Sequence, residues 1–306
     1  MTRTSLEARI ANAPCSWGVL EFEEQSAAGY GYAQVLDEMA GAGYAGTELG
    51  DWGFMPTDPQ ALREALDARR LALVGAFVPV RLADPDALPD GEAAAIRTAR
   101  LLAGAGFRDA FVVLADDIAA SPMRTAVAGR VTAEHRLPDA ERAIFASQAE
   151  HIARAVLEAT GLRTVFHHHC ASYVETPEEI HDLMTRTDAS VLGLCLDTGH
   201  LTYAGGDPVA AVAEYGTRIW HLHLKDCAGD VAQRARDHQW DYHTAVRHGV
   251  FCELGRGTVR FPAVLDALAG IGFTGWAVVE QDVLPSLGTP AASAARNRAF
   301  IQALGL

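Results

Sequence analysis

Side chains that can bind metal ions and move protons recur where short β-type runs of the sequence end. TVFHHH closes on three consecutive histidines, LCLDTGH on an aspartate and a histidine, HLHLKD on a histidine and a lysine, and WAVVEQD on acidic residues. The residues are His167, His168, His169, Asp197, His200, His223, Lys225 and Glu280. Two or three imidazoles with two carboxylates are typical of a site for Mn²⁺, Co²⁺, Fe²⁺ or Zn²⁺, and not for Ca²⁺.

The three consecutive histidines are not equivalent. Side chains alternate along a strand, so His167 and His169 share one face and His168 points away from them. We therefore expect His167 and His169 to contact metal or substrate, and His168 to be a hydrogen-bonded structural residue. Asp197 could cap the turn before Gly199, but an apolar strand leads to it, and burial of an unpaired carboxylate is costly without a cation. Metal binding is therefore favoured.

These polar side chains need a scaffold that brings the ends of separate strands together. Eight β-type runs alternate with helical patterns, several of which end at glycine. The predicted strands cover residues 8–15, 44–49, 71–80, 109–115, 163–169, 192–198, 218–226 and 276–282. Eight repeats, without GxGxxG after the first strand, favour an α/β fold of the (β/α)8 TIM barrel type, in which the strand ends converge on one mouth.

No domain boundary is visible, so residues 1–306 are predicted to form a single (β/α)8 barrel domain. Two connections are long, residues 116–138 after the fourth strand and residues 227–260 after the seventh. Both follow the C-terminal ends of strands, where barrel active sites form, so they are candidate lids. Within the second, RARDHQWDYH (234–243) is predicted to be a solvated loop face, although its aromatic and histidine residues could close over a ligand.

Charge and composition exclude several classes of partner. The 306 residues include 25 Lys and Arg against 39 Asp and Glu, a net charge of −14, which argues against nucleic acid and anionic membrane surfaces. No apolar run approaches the roughly 20 residues of a membrane span, and MTRTSLEARI lacks a signal-peptide core, so a cytoplasmic protein is expected. Five scattered cysteines without a CxxC pair predict neither disulfides nor a structural zinc site.

Several motifs resemble a known family. LCLDTGHL, HLHLKD, ELGRGTVRFPAVLDAL and GWAVVEQD resemble the sugar phosphate isomerase/epimerase proteins, whose fold is the xylose isomerase-like barrel. Within that family, NAPCSWGVLEFE, YAGTELG and HHHCASYVET are most similar to inosose dehydratases, which remove water from 2-keto-myo-inositol. The resemblance covers nearly the whole chain. It implies one divalent metal ion held at the ends of strands five to eight, usually by Glu, Asp, His and Glu.

Three of the four family ligands match this sequence directly, at Asp197, His223 and Glu280. Strand five departs from the pattern, because His167 stands in the register of the usual glutamate, with the next two histidines in the places of Asn and His. We therefore expect His167 to be the first ligand. The resemblance implies Mn²⁺ or Co²⁺ as the first choice of metal, with Zn²⁺, Fe²⁺ and Mg²⁺ as alternatives.

Glu175 is the rival ligand for strand five, since it is the one carboxylate that follows the strand closely. The next four residues, TPEE (176–179), have an N-cap threonine, a proline at the first helical position and a glutamate at the third. This pattern is a capping box, which places Glu175 just before a helix start. The position is distant from the strand end, so His167 is preferred.

The resemblance also implies residues around the substrate. His200 resembles the family histidine that contacts substrate oxygens, and we expect His169, Lys225 and Glu280 to act with it in catalysis. The candidates for substrate binding are Glu48, Trp17, Trp52 and Arg256.

Each substrate-binding candidate has a structural alternative. A salt bridge to an arginine would also explain Glu48. Core packing is an equal alternative for Trp17 and Trp52. Arg256 lies in GRGT (255–258), which is too short for a phosphate loop and is typical of a tight turn. His221, which alternates with His223, is expected to support the site.

The expected reaction is metal-assisted loss of water from a small keto-cyclitol or keto-sugar. A divalent ion polarises a ketone while a base removes the α-proton. Family epimerases flank the reacting carbon with metal-bound glutamates on strands five and eight. Here His167 replaces one of them, and its lone pair would be given to the ion, so Glu280 remains as the base. His169 or His200 would supply the acid for the departing hydroxyl.

Three other functions stay open. The first is a ketose 3-epimerase or aldose-ketose isomerase acting on a free or phosphorylated sugar. The second is an abasic-site endonuclease-like hydrolase, which usually carries three zinc ions and needs a basic groove, so the net charge counts against it. The third is a sugar-binding barrel without activity. A homo-oligomer also stays open.

Overall fold

The computed structural model describes residues 6–18, 29–282 and 288–306. Within these ranges eight parallel strands close into a barrel in which every strand pairs with two neighbours. They are β1 (Arg9–Asn12), β2 (Gly46–Glu48), β3 (Ala72–Val80), β4 (Phe111–Asp116), β5 (Arg163–His167), β6 (Leu192–Asp197), β7 (Ile219–Leu224) and β10 (Trp276–Val279). Between β7 and β10 the chain forms a separate two-stranded antiparallel sheet, β8 (Asp226–Cys227) with β9 (Phe251–Cys252). The predicted α/β (β/α)8 barrel is confirmed.

Helices follow the barrel strands along the chain. They are α1 (Tyr32–Gly41), α2 (Pro59–Asp67), α3 (Leu88–Gly104), α4 (Pro122–Val127), α5 (Asp139–Thr160), α6 (Pro177–Arg186), α7 (Thr198–Tyr203), α8 (Pro208–Tyr215), α9 (Gly229–Asp237), α10 (Tyr242–Arg247), α11 (Phe261–Gly270) and α12 (Pro290–Ala303). Among the helices that the structure describes, none has the length and apolar character needed to cross a bilayer.

The long helix α5 shows how the apolar pattern builds the outer layer. Its buried residues include Phe145, Ala149, Ile152 and Val156, which are spaced by four, three and four residues. This spacing puts them on one face, which packs into the main hydrophobic cluster with the strands. The helix ends at Gly161, whose φ of 77° is the left-handed conformation that glycine adopts most readily. The chain then turns directly into β5, which carries His167.

The capping box predicted after β5 is present at the start of α6. The Thr176 side chain accepts a hydrogen bond from the Glu179 backbone, and the Glu179 side chain accepts one from the Thr176 backbone. The buried guanidinium of Arg124, in α4, donates two further bonds to Glu179, at 2.8 and 2.9 Å. The start of α6 therefore anchors the connection 116–138 to the barrel.

The two long connections contain short helices. Residues 116–138 include α4, and residues 227–260 include α9 and α10. The Arg130 side chain joins the two connections, because it donates hydrogen bonds to the carbonyl oxygens of Trp240 (2.7 Å) and Ala235 (3.3 Å). Over 234–243 the polar side chains Arg234, Asp237 and His238 are exposed, as predicted, but the stretch is not a loop, since it ends α9, starts α10 and buries Ala235 and Tyr242.

Candidate metal centre and active site

The structure brings the four predicted metal ligands together at the ends of β5, β6, β7 and β10. One candidate ligand atom each from His167, Asp197, His223 and Glu280 lies within 4.8 Å of the others. His223 Nδ1 is 3.3 Å from Glu280 Oε1 and 3.9 Å from Asp197 Oδ2. Ligand atoms that each lie about 2.0–2.2 Å from one ion are at most about 4.4 Å apart. The spacing of the four groups is therefore close to that of a shared cation.

Several polar atoms of this cluster are buried without a hydrogen-bond partner in the described part of the chain. They are both ring nitrogens of His167, Oδ2 of Asp197 and Nδ1 of His223. Buried polar atoms are normally paired, because an unpaired one loses its hydration without compensation. A divalent cation would accept lone pairs from all three side chains, and a set of two imidazoles and two carboxylates suits such an ion. The residues present therefore fit a single-metal site.

Glu48, at the end of β2, sets the orientation of His223. Its carboxylate accepts hydrogen bonds from Nε2 of His221 (2.7 Å) and Nε2 of His223 (3.0 Å). Burial acts to raise the pKa of Glu48, but the charge of His223 and the bonds from both histidines lower it to about 2. The bond to Nε2 leaves Nδ1 of His223 facing the cluster, an arrangement common for metal-binding histidines. Glu48 thus pairs with histidines, not with an arginine.

Asp197 combines the two roles considered for it from the sequence. It is the N-cap of α7, and its Oδ1 accepts the backbone N–H of His200 at 2.7 Å. Its Oδ2 faces the cluster, 3.7 Å from His167 Nε2. The backbone N–H of Asp197 donates to Nε2 of His168 at 3.1 Å. Burial, with the nearby charge of His167, lowers the pKa of His168 to about 3, so His168 acts as a neutral structural acceptor.

Glu175 lies outside the cluster and holds backbone. Its Oε1 accepts the N–H of Gly129 at 2.7 Å, and its Oε2 accepts the N–H of Ala171 at 2.8 Å. Ala171 has a φ of 72°, a left-handed conformation that side chains disfavour. The Glu175 carboxylate therefore fixes the turn after β5 and ties it to the connection 116–138. The structure brings His167, and not Glu175, to the other three candidate ligands.

A cavity opens at the C-terminal mouth of the barrel beside the cluster. The empty space within it is about 680 Å³ when the open solvent at its mouth is counted. It is lined by Ala13, Pro14, Cys15, Glu48, Gly50, Asp51, Phe77, Ile118, His167, His169, His223, Lys225, Tyr242, Glu280 and Asp282. Three of the four predicted catalytic residues, His169, Lys225 and Glu280, are in this lining.

Lys225 lies between the acidic residues that follow β10. Its ammonium nitrogen is 3.3 Å from Glu280 Oε2 and 3.3 Å from Asp282 Oδ1. Burial acts to lower the pKa of Lys225, but the charges of Asp282 and Glu280 raise it well above its usual value. The side chain therefore stays protonated and positions the Glu280 carboxylate at the edge of the cavity.

His200 does not line the cavity that the structure describes, although the resemblance predicted a substrate contact. The first turn of α7 carries it behind His169, and the centroids of the two rings are 3.9 Å apart. Its Nδ1 accepts the backbone N–H of Cys170 at 3.3 Å, and its Nε2 is 3.3 Å from Lys225 Nζ. The geometry gives His200 a supporting position behind His169 and Lys225.

Three substrate-binding candidates lie away from the cavity lining. Trp17 is buried and its indole N–H donates to Glu38 Oε2 at 2.6 Å, which matches the core-packing alternative. Trp52 is partly exposed and stacks against the guanidinium of Arg97, 4.1 Å from the ring centroid. Arg256 is exposed in the turn 255–258 and pairs with Glu253 at 3.3 Å. Sequence reasoning could not separate these positions, because aromatic residues after a strand pack inward or outward depending on the following turn.

Other lining residues were not among the sequence candidates. Asp51 and Asp282 each lie within three residues of a strand end, so their position carried a usable signal. Phe77 lies inside β3, where an apolar residue gives no indication of a cavity. Ile118 and Tyr242 belong to the two long connections, and their approach to the mouth depends on packing between distant segments.

Comparisons with known proteins agree with this architecture. The family model for the xylose isomerase-like TIM barrel matches residues 36–304. The rhizopine catabolism protein MocC of Rhizobium meliloti is 37% identical over 257 residues, which are 84% of this chain and 76% of that protein. An inosose dehydratase of Geobacillus kaustophilus (strain HTA426) is 32% identical over 307 residues, covering 99% of this chain and 97% of that protein.

A solved structure shows the same fold at low sequence identity. D-psicose 3-epimerase with D-tagatose, from Clostridium cellulolyticum H10, superposes with a TM-score of 0.69 at 16% identity and covers 97% of this chain and 99% of that chain. The family predicted from the sequence motifs is confirmed. The chain belongs to the family of xylose isomerase-like TIM barrels.

Proposed function

We propose that the protein is a divalent-metal-dependent dehydratase that removes water from a keto-cyclitol or keto-sugar, with Mn²⁺ or Co²⁺ as its metal. The observation that carries the proposal is the cluster of His167, Asp197, His223 and Glu280 beside the cavity, with buried atoms that have no hydrogen-bond partner among the residues the structure describes. The inosose dehydratase relative, similar over 99% of this chain, supports a polyhydroxylated cyclic ketone as the substrate class.

The distribution of carboxylates round the cavity favours elimination over epimerisation. Around the barrel the order is β2, β1, β10, β7, β6, β5, β4, β3, so β5 lies opposite β1. Among the residues that the structure describes, the carboxylates that line the cavity stand at or after the ends of β2 and β10, on either side of β1: Glu48, Asp51, Glu280 and Asp282. The β5 side presents His167 and His169. Epimerisation by two opposed carboxylate bases has no support from this arrangement, whereas elimination needs one base and one acid.

The residues of this chain divide the work of the proposed reaction. A bound divalent cation supplies Lewis-acid polarisation of a carbonyl oxygen. Glu280 accepts the proton from the carbon next to the ketone, and Lys225 holds its carboxylate in place. Phe77 and Ile118 give the cavity apolar surface that limits access of water to the reacting carbon.

The test is metal content together with turnover of 2-keto-myo-inositol. Purified protein should bind about one equivalent of Mn²⁺ or Co²⁺ per chain and convert the ketone to a product lighter by one water molecule, as seen by mass spectrometry. His167→Ala should lose both, because an incomplete coordination sphere holds metal poorly. Glu175→Gln should keep the metal, since the Glu175 carboxylate accepts the backbone N–H groups of Gly129 and Ala171 and lies outside the ligand cluster.

Two results would contradict the proposal. Clean C3 epimerisation or aldose-ketose exchange of free sugars, without dehydration of the cyclitol ketone, would replace the dehydratase by an isomerase. Loss of metal from Glu175→Gln with metal retained in His167→Ala would show that the strand-five ligand is the glutamate.

A further inference from the structure

The side chain of Tyr242 reaches the cavity from outside the barrel strands. It is the first residue of α10, whose start is fixed by Asp241, the N-cap that accepts the backbone N–H of Thr244 at 2.7 Å. The peptide bond between Trp240 and Asp241 is held as well, because the Arg130 side chain donates a hydrogen bond to the carbonyl oxygen of Trp240. Tyr242 is buried and lines the cavity with Glu280 and Lys225. The two long connections therefore cooperate to place one phenol at the active-site mouth.

The hydrogen bonds of His169 determine which way the proton of Tyr242 points. His169 Nδ1 is 2.6 Å from the carbonyl oxygen of Cys170. A carbonyl oxygen only accepts, so Nδ1 carries the proton and Nε2 of the neutral ring is an acceptor. The Tyr242 hydroxyl is 3.4 Å from this Nε2. The phenol is therefore the donor of the pair, and the neutral imidazole has no proton on the side that faces the phenol.

The other cationic and imidazole groups near the cavity are less suited to protonate a departing hydroxyl. His200 lies behind His169, outside the described lining. Lys225 is held between Glu280 and Asp282, on the side of the base. Its ammonium group is engaged by these two carboxylates, whereas the departing group leaves from the carbon next to the one that loses its proton. Tyr242 contacts His169, which follows β5, and β5 is three strands round the barrel from β10, the strand that Glu280 follows.

We propose that Tyr242 is the catalytic acid, which protonates the hydroxyl that leaves the substrate; this inference rests on the dehydratase function proposed above. The C–H bond next to the ketone breaks first: its proton goes to Glu280 and its electron pair passes to the ketone oxygen as an enolate, which then returns the pair to form the new C=C bond. The C–O bond of the adjacent carbon breaks, and the departing oxygen takes the phenol proton to form water. The phenolate regains a proton from solvent, and Glu280 releases one.

The test separates proton removal from hydroxyl departure in Tyr242→Phe. In D₂O, wild-type protein should exchange the proton next to the ketone of 2-keto-myo-inositol and also release water. Tyr242→Phe should still exchange that proton at a rate within about threefold of wild type, while dehydration falls by about 100-fold or more, the usual contribution of a general acid. Retained exchange also shows that the variant is folded.

Tyr203→Phe is the matched control, because Tyr203 is buried outside the cavity lining and its hydroxyl has no hydrogen-bond partner in the described chain. In Tyr203→Phe the rate of proton exchange and the rate of dehydration should both equal those of wild type. Replacing the departing hydroxyl by fluoride, which leaves without a proton, should bring Tyr242→Phe within about tenfold of wild type. Equal losses of exchange and dehydration in Tyr242→Phe, or no loss of either, would overturn the role of Tyr242. A wild-type protein that neither exchanges nor dehydrates the ketone would overturn the proposed function itself.

Discussion

A histidine at position 167 changes the charge balance of the candidate metal centre. Once a divalent cation is bound, two carboxylates, Asp197 and Glu280, with two imidazoles that have given their lone pairs to the ion offset its formal charge, whereas a third carboxylate would leave the cluster negative. All four side chains are buried or nearly so, and an uncompensated charge is costly in such surroundings. A histidine at position 167 therefore suits a metal-bound cluster that has no net formal charge, is largely buried and opens to substrate on one side.

Glu48 offers a test of how the centre is oriented. In Glu48→Gln the charged acceptor of two histidine N–H groups becomes a neutral amide. His223 would then be less basic and less firmly oriented, so the affinity for Mn²⁺ should fall by about 10- to 100-fold, as is usual when a partner of a metal-binding histidine is lost. The measurement is isothermal titration of metal-free protein with Mn²⁺.

Glu64→Gln, on the exposed side of α2, is the matched control and should bind Mn²⁺ as wild type does. An unchanged affinity in Glu48→Gln would show that neighbouring packing alone orients His223. Loss of the circular dichroism signal in that variant would instead identify Glu48 as a residue needed for folding.

The candidate ligands could be predicted at the residue scale, but several of their neighbours could not. His167, Asp197, His223 and Glu280 each stand at the end of an apolar strand, where a buried polar residue needs a partner. Trp17 and Trp52 also follow strands, yet one packs inward and the other lies under Arg97. The direction of those side chains depends on local turns that a sequence pattern does not determine.

At the scale of elements, the turn after β9 surrounds the carboxylate of Asp226, where a phosphate loop would surround an external anion. The backbone N–H groups of Gly255, Gly257 and Val259 donate to the Asp226 carboxylate at 2.9, 2.8 and 3.0 Å. A Cβ on Gly257 would lie 2.3 Å from Asp226 Oδ1, so the close approach requires glycine. The GRGT segment is thus a turn closed by its own carboxylate, which agrees with the tight turn expected from the sequence.

Asp226→Asn should destabilise this turn. One of the two oxygens becomes an NH₂ group that faces backbone donors, so at least one hydrogen bond to a charged acceptor is lost. The expected decrease in the free energy of unfolding is about 3 kcal/mol, measured by urea denaturation. Asp230→Asn, on the exposed side of α9, should change it by less than about 0.5 kcal/mol. Equal stability of the two variants would mean that the glycine turn forms without the carboxylate.

The barrel strands could be predicted from their apolar runs, because burial on both faces leaves a strong pattern. The helices of the two long connections could not be predicted in this way. Their helices α4, α9 and α10 are short, and they are stabilised by distant contacts such as those of Arg124 with Glu179 and of Arg130 with the Trp240 carbonyl. Such pairs join residues far apart in the chain, so no local periodicity indicates them. For the same reason the sequence could offer Tyr242 only as one of several aromatic and histidine residues of 234–243 that could close over a ligand.

At the scale of the whole molecule, two buried carboxylates couple the stability of the fold to pH. Asp116, at the end of β4, accepts the backbone N–H groups of Tyr173 and Leu82, and Glu175 accepts those of Gly129 and Ala171. Burial raises the pKa of each to about 7. Because both link separate segments round the barrel mouth, their ionisation affects the free energy of global unfolding.

Glu175→Gln isolates one of these contributions. The folded-state pKa of Glu175 is about 7, above an unfolded value of about 4.3, so the folded chain holds the proton more tightly. Its contribution to stability is full below the unfolded pKa and is lost as the pH rises through the folded pKa. Glutamine stays neutral throughout, so the stability of wild type relative to the variant should fall by an amount on the order of 3 kcal/mol between about pH 4.5 and pH 8.

Urea denaturation at both pH values measures this change in relative stability. The control is Glu178→Gln, at an exposed position, whose difference in stability from wild type should be the same at both pH values. A constant difference for Glu175→Gln as well would show that Glu175 ionises in the folded protein as it does in the unfolded chain, because the two backbone N–H groups would then fully offset its burial.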